Sequence, residues 1–138
     1  MVFTFPFAVR LRMARDPKAL SAVLRCCKRA LFTQLRRRSR ALGIKDGRPA
    51  AITAIQVYGG ALNLNVHFHV ITPDALFVVT DDALRIEHLS PPTDEDIDAL
   101  LATVRRKVER LFEYGQLAVD EVAVEVSTDD RWCYDHDK

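Results

Sequence analysis

Two histidines flanking one phenylalanine, His67-Phe68-His69, are the side chains of this chain best placed to do chemistry. They lie in a segment that alternates: Leu62, Leu64, Val66, Phe68 and Val70 are apolar, while Asn63, Asn65, His67 and His69 are polar. Such period-two alternation is the pattern of a β-strand with one buried face. Successive strand side chains point to opposite sides, so both imidazoles project together, roughly 6–7 Å apart by strand rise. At that spacing two imidazoles can grip one metal ion. Two histidines on a polar sheet face can equally be ordinary surface residues, and the neighbouring sequence must decide.

The preceding run, Ala51 to Tyr58, is also strand-like and is followed by Gly59-Gly60. A Gly-Gly pair between two such runs predicts a tight hairpin. A two-residue loop pairs Tyr58 with Ala61 and Gln56 with Asn63. Any even loop length brings Gln56 to the histidine face, whereas an odd length or a bulge turns it away. One face is thus expected to carry Gln56, Asn63, Asn65, His67 and His69.

These residues need elements to hold them. A strand is predicted over residues 2–12, where Val2, Phe3, Phe5, Phe7, Val9 and Leu11 are apolar and Pro6 marks an edge or bulge. Asp16-Pro17 opens a helix. Its buried stripe is Leu20, Val23, Leu24, Cys27, Leu31, Leu35 and Leu42, and Gly43 ends it. On that helix Arg25, Arg29, Arg36 and Arg40 fall within about 60° of one another; Lys28, Arg37 and Arg38 broaden the basic face. Short strands follow over Ala75 to Thr80 and Leu84 to His88, with Asp81-Asp82 as the turn. Thr93 and Asp96 form an aspartate variant of the capping box for a second helix. That helix carries Ile97, Leu100, Leu101, Val104, Val108, Leu111 and Phe112 as its stripe and ends at Gly115. Val119 to Val126 is a last strand, and 127–138 is a polar tail. The predicted order is β-α-β-β-β-β-α-(β). One domain over residues 1–126 has an α+β fold with a central antiparallel sheet, two helices packed on one face, and the histidine face open.

Composition agrees with one domain. The chain has 138 residues, 49% of them hydrophobic, enough for a real core. No window is long and apolar enough to span a membrane, and Met1 to Phe7 lacks the basic start and cleavage site of a signal peptide. The three cysteines include no C-x-x-C pair, which argues against a zinc ribbon or a disulfide framework. Cys27 reads as a core residue, and a reduced, cytoplasmic location is expected. The net charge of +1 conceals a segregation. Residues 1–48 hold 13 basic and 2 acidic side chains, a balance of +11; the rest hold 7 basic and 17 acidic, a balance of −10. Such a division suits a basic surface for a polyanion, or charge pairing between the two halves.

The string Gln56-Val-Tyr-Gly-Gly-Ala-Leu-Asn-Leu-Asn-Val-His-Phe-His69, followed by Val70-Ile71 and a Pro-Asp turn, resembles the core of HUH-type, two-tyrosine transposases of bacterial insertion sequences. The flanks agree: Phe5-Pro6-Phe7-Ala-Val-Arg-Leu-Arg12, the arginine-rich Ala30 to Arg40, and Pro91-Pro92-Thr93-Asp94-Glu95. The resemblance covers roughly residues 2–113. It implies a palm-like fold and a magnesium or manganese ion held by His67, His69 and a third polar ligand, for which Gln56 is the best candidate. Asn63 and Asn65 would orient ligands or contact phosphate. Arg25, Arg29, Arg36 and Arg40 would hold the DNA backbone. The implied partner is DNA, single-stranded or as hairpin transposon ends, and the implied reaction is tyrosine attack on a metal-polarised phosphate.

The chain departs from the family in two ways. It has no counterpart of the family's cysteine-rich zinc segment. Its three tyrosines, Tyr58, Tyr114 and Tyr134, include no pair four positions apart. Tyr58 reads as a packing aromatic, and Tyr114 is the candidate nucleophile. The alternative is a nuclease-inactive, truncated or domesticated DNA-binding module that keeps the metal and phosphate site. A third reading is a zinc hydrolase or lyase that recruits His88 or His136.

Overall fold

A computed structural model describes residues 1–81, 83–113 and 125–127. The chain is α+β, with the order β1 (Val2–Thr4), α1 (Phe7–Arg15), α2 (Pro17–Ala41), β2 (Ile52–Tyr58), β3 (Leu64–Ile71), β4 (Ala75–Val79), β5 (Leu84–His88), α3 (Asp94–Glu113) and β6 (Glu125–Ser127). The main sheet has strand order β2-β3-β1-β6, with every neighbouring pair antiparallel. β4 and β5 form a separate two-stranded ribbon rather than extending that sheet. No helix among the described residues is long and apolar enough to cross a membrane.

Among the described residues three helices replace the expected two, because the predicted strand over 2–12 breaks at Pro6. Pro6 takes the N-cap position of α1, and its carbonyl accepts the Arg10 amide at 3.0 Å. The apolar alternation there is only partly used: Val9 and Met13, one helical turn apart, are buried, while Phe7 is exposed. A helix at this point therefore supplies the core with Val9 and Met13 at i and i+4, while Leu11 between them is only half-buried.

α2 starts and stops where its sequence says. The Asp16 side chain accepts the Lys18 amide, Pro17 occupies the first turn, and Gly43 adopts φ 81°, the left-handed cap that favours glycine. Its stripe buries Val23, Cys27, Leu31 and Leu35, but Leu42 lies at the helix end and is exposed. α3 closes its first turn with a reciprocal capping box: Thr93 Oγ1 accepts the Asp96 amide, and Asp96 accepts the Thr93 amide. Leu100, Val104, Val108 and Phe112 are its buried stripe. One cross-half ion pair, Arg38–Asp96, joins α2 to α3.

The core lies between these helices and one side of the sheet. Phe3, Val66, Phe68 and Val70 cluster with Val23, Cys27, Leu31, Leu100 and Val104. Phe5 packs edge-on against Phe68, with ring centres 5.4 Å apart. Cys27 is a core residue as expected, and burial pushes its thiol pKa up.

The hairpin register differs from the expected one. Gln56 pairs with His67 and Tyr58 with Leu64, with a register shift between them. A two-residue turn of the favoured hairpin kind needs positive φ in its glycines. Neither Gly59 nor Gly60 has it; Leu62 does, at φ 54°. The loop therefore lengthens to residues 59–63, closed by the Gly59 amide on the Asn63 carbonyl at 2.9 Å. From Gln56 to Tyr58 β2 advances two residues while β3 retreats three, so the extra residue belongs to β3.

The Asp16 carboxyl lies below its ordinary pKa of 3.8, chiefly because the Lys18 amide donates to it. A depressed carboxylate pKa gives stability that is present above the unfolded value and lost as pH falls through the folded one. Asp16→Asn keeps a cap without a charge, so its acid destabilisation below about pH 4 should be smaller than the wild type's. Urea denaturation at stepped pH checks this; equal acid losses in both proteins would contradict it.

Candidate functional site

β3 places the two imidazoles. Phe68 is fully buried, opposite Phe3 on one side and Ile55 on the other. Alternation then sends His67 and His69 together to the opposite side of the sheet. Their ring centres lie 4.9 Å apart with planes inclined by 59°. Across the ladders, His67 faces Gln56, and His69 faces Ala54 and Val2. The expected open face is open only in part: Ala54 and Gln56 are exposed, whereas His67 is 8% exposed and His69 half-buried.

The hydrogen bonds set the chemistry of each ring. His67 Nδ1 lies 2.5 Å from the Asn65 carbonyl oxygen. A carbonyl only accepts, so Nδ1 carries the proton and the Nε2 lone pair is left free. Metal-bound histidines are commonly held in this way, by donating the second ring nitrogen to a carbonyl. His69 Nε2 is buried and has no hydrogen-bond partner among the described residues. A buried polar atom without a partner calls for a ligand. Burial, then the neighbouring charge of His67, then that of the N-terminus, hold the His69 pKa below its ordinary 6.5. His69 is therefore neutral at pH 7, with a lone pair to offer.

These features fit a shared divalent ion. Ligating nitrogens about 2.1 Å from one ion put two imidazole centres on the order of 5 Å apart. Gln56 lies on the same face by register; its Nε2 donates to the Tyr58 carbonyl at 3.0 Å, which leaves the amide oxygen uncommitted. Among the described residues no third His, Cys, Asp or Glu joins the pair.

Asn65 is the centre of the local network. Its carbonyl meets His67, and its amide oxygen accepts a hydrogen bond from Arg10 Nη1 at 2.7 Å. Arg10 escaped the sequence reading. In a strand over 2–12 it is one polar residue among several, and only the helix α1 turns it toward β3. Asn63, in contrast, leaves the histidine face. It belongs to the 59–63 loop, where a side chain at Gly59 would collide with its amide oxygen.

The structure does not bring the arginine stripe to the histidines. Arg25, Arg29, Arg36 and Arg40 are exposed, and none forms an ion pair among the described residues. They point outward from α2, which packs on the Phe68 side of the sheet. Arg38 turns inward instead, to Asp96 and the Ser90 carbonyl. Tyr58 is 55% exposed and so is not a packing aromatic. His88 is exposed on the separate ribbon, opposite Ala75. Tyr114, Tyr134 and His136 lie outside the described residues.

No protein-family model, no curated protein and no solved structure matches this chain.

A shared ion requires both rings. Calorimetric titration with manganese should show one site in the wild type and none in His67→Ala with His69→Ala, while His88→Ala binds as the wild type does. Unchanged affinity in the double variant would remove the pair from the site.

Proposed function

We propose that this chain is a metal-dependent, single-stranded DNA-nicking domain of the HUH transposase type. The observation that carries the reading is the paired imidazoles, one fixed as the Nδ1–H tautomer and the other with a buried, unpartnered Nε2. His67 and His69, with Gln56 as third ligand, would hold a manganese or magnesium ion. When bound, that ion supplies Lewis-acid polarisation of a DNA phosphate. Neutral imidazoles suit manganese better than magnesium.

The chain's own groups supply the rest. The Asn65 carbonyl keeps the His67 proton on Nδ1, so Nε2 stays available. The low proton affinity of His69 keeps its lone pair free at neutral pH. Tyr114 directly follows α3 and is the candidate nucleophile. Its hydroxyl oxygen would bond to phosphorus, the 3′ oxygen would leave with a proton, and a phosphotyrosine link would remain. The arginine stripe would add sequence-independent contact with the DNA backbone over roughly 22 Å of helix.

One observation favours a second reading, a binding module without cleavage: no two tyrosines stand four positions apart, as the family's nucleophiles do. A single experiment separates the two. Labelled single-stranded DNA is incubated with manganese and the wild type, Tyr114→Phe or His67→Ala. Nicking and a covalent adduct in the wild type, lost in both variants, is the expected result. Binding without cleavage at every metal concentration would sink the nicking reading and leave the module.

The arginine stripe has its own test. Replacing Arg25, Arg29, Arg36 and Arg40 with serine should reduce the salt dependence of single-strand binding by up to roughly 3 units of log–log slope. An unchanged slope would mean that the stripe does not face DNA.

A further inference from the structure

Arg10 carries an unfilled donor beside the histidine pair. Its Nη1 is spent on Asn65 at 2.7 Å, and its guanidinium lies over the Phe7 ring, 5.9 Å from the ring centre. Its Nε is buried and has no hydrogen-bond partner among the described residues. No carboxylate among those residues pairs with it. A guanidinium cannot shed its charge, and its five N–H donors form a rigid fork. Leaving such a donor buried and unpaired is costly, and an acceptor brought by a bound ligand would relieve that cost.

The position of that acceptor is set by Asn65. One residue receives Arg10 on its side chain and His67 on its main chain, so the guanidinium and the imidazole pair border one locality. Each of the two groups carries an orphan atom among the described residues, Arg10 Nε and His69 Nε2. One is a cationic donor; the other is an imidazole nitrogen. A metal ion answers the imidazole, and an oxyanion answers the donor. A phosphate group satisfies the fork of a guanidinium with two of its oxygens while turning a third to a cation.

We infer that Arg10 is the phosphate-holding residue of the histidine site, hydrogen-bonding non-bridging oxygens of a phosphate bound beside His67 and His69. The inference rests on the reading of that pair as a metal and phosphate site. Arg10 thus takes the phosphate contact at the histidine pair for which Asn63 and Asn65 are the expected residues, and the α2 stripe keeps its separate contact with the DNA backbone.

The test titrates wild type, Arg10→Gln and Arg10→Lys with inorganic phosphate and with a short oligothymidylate, each with and without manganese. Manganese affinity is measured alongside, so that loss of phosphate is separated from loss of metal. Arg10→Gln should lose about tenfold or more in phosphate affinity, and Arg10→Lys, which keeps the charge but not the fork, should recover part of it. Loss with both probes assigns Arg10 to phosphate as such; loss with oligothymidylate alone assigns it to a backbone phosphate of DNA. Wild-type affinity for both probes in Arg10→Gln would overturn the inference. A wild type that binds no manganese would sink the proposed function, and the metal-free titrations would then decide Arg10 independently. Should Arg10→Gln not fold, the wild-type Arg10 Nε–H resonance decides: it shifts on saturation with phosphate if the inference holds, and an unmoved resonance overturns it.

Discussion

Phe68 has no exposure to solvent, and its burial between Phe3, Phe5 and Ile55 governs the rest of the histidine strand. Removing a phenylalanine side chain from water contributes about 1.5–3 kcal/mol. A one-residue slip of β3 would forfeit that and place an imidazole in the core instead. The same constraint that builds the core therefore delivers both histidines to the other side. Val66 and Val70, each 1% exposed, repeat the constraint two residues away in either direction. The pair is positioned by packing rather than by any interaction of its own.

The register shift in β3 adds what packing alone does not. An extra residue near Asn65 frees its carbonyl for His67 Nδ1 and its side chain for Arg10. Bulges often re-aim side chains beside functional sites. Here the bulged residue Asn65 links the His67 ring, through its carbonyl, to Arg10 of α1, through its side chain. The site that results is small and partly closed. The groups it brings together are two imidazoles and, by register, Gln56, with Arg10 linked to it through Asn65. The basic stripe of α2 lies across the core from it, so charge at the site comes from Arg10 rather than from the most arginine-rich segment of the chain.

Much of this was legible in the sequence, and the failures have physical causes. The alternation from Leu62 to Ile71 identified β3 and its two faces, although Leu62 and Asn63 belong to the hairpin loop and not to the strand. Asp16-Pro17 and Thr93 with Asp96 identified two helix starts, because each supplies a specific partner for a free amide. Residues 7–12 read as strand but are helix, since Phe7, Val9 and Leu11 alternate and the burial that selects Val9 with Met13 is a tertiary matter. The hairpin failed at Gly59-Gly60, whose identity suggested a two-residue turn that their backbone does not adopt. Gln56 nonetheless reached the histidine face, through a different register from the one expected. Arg10 could not be found from spacing, because its link to Asn65 spans 55 residues of chain.

The central claim is that His67 and His69 share one metal ion. Crystals grown with manganese and measured at the manganese absorption edge test it directly. An anomalous peak within bonding distance of a nitrogen from each imidazole is the expected result. Manganese-saturated crystals with no peak between the two rings, or with the ion bound elsewhere, would contradict it.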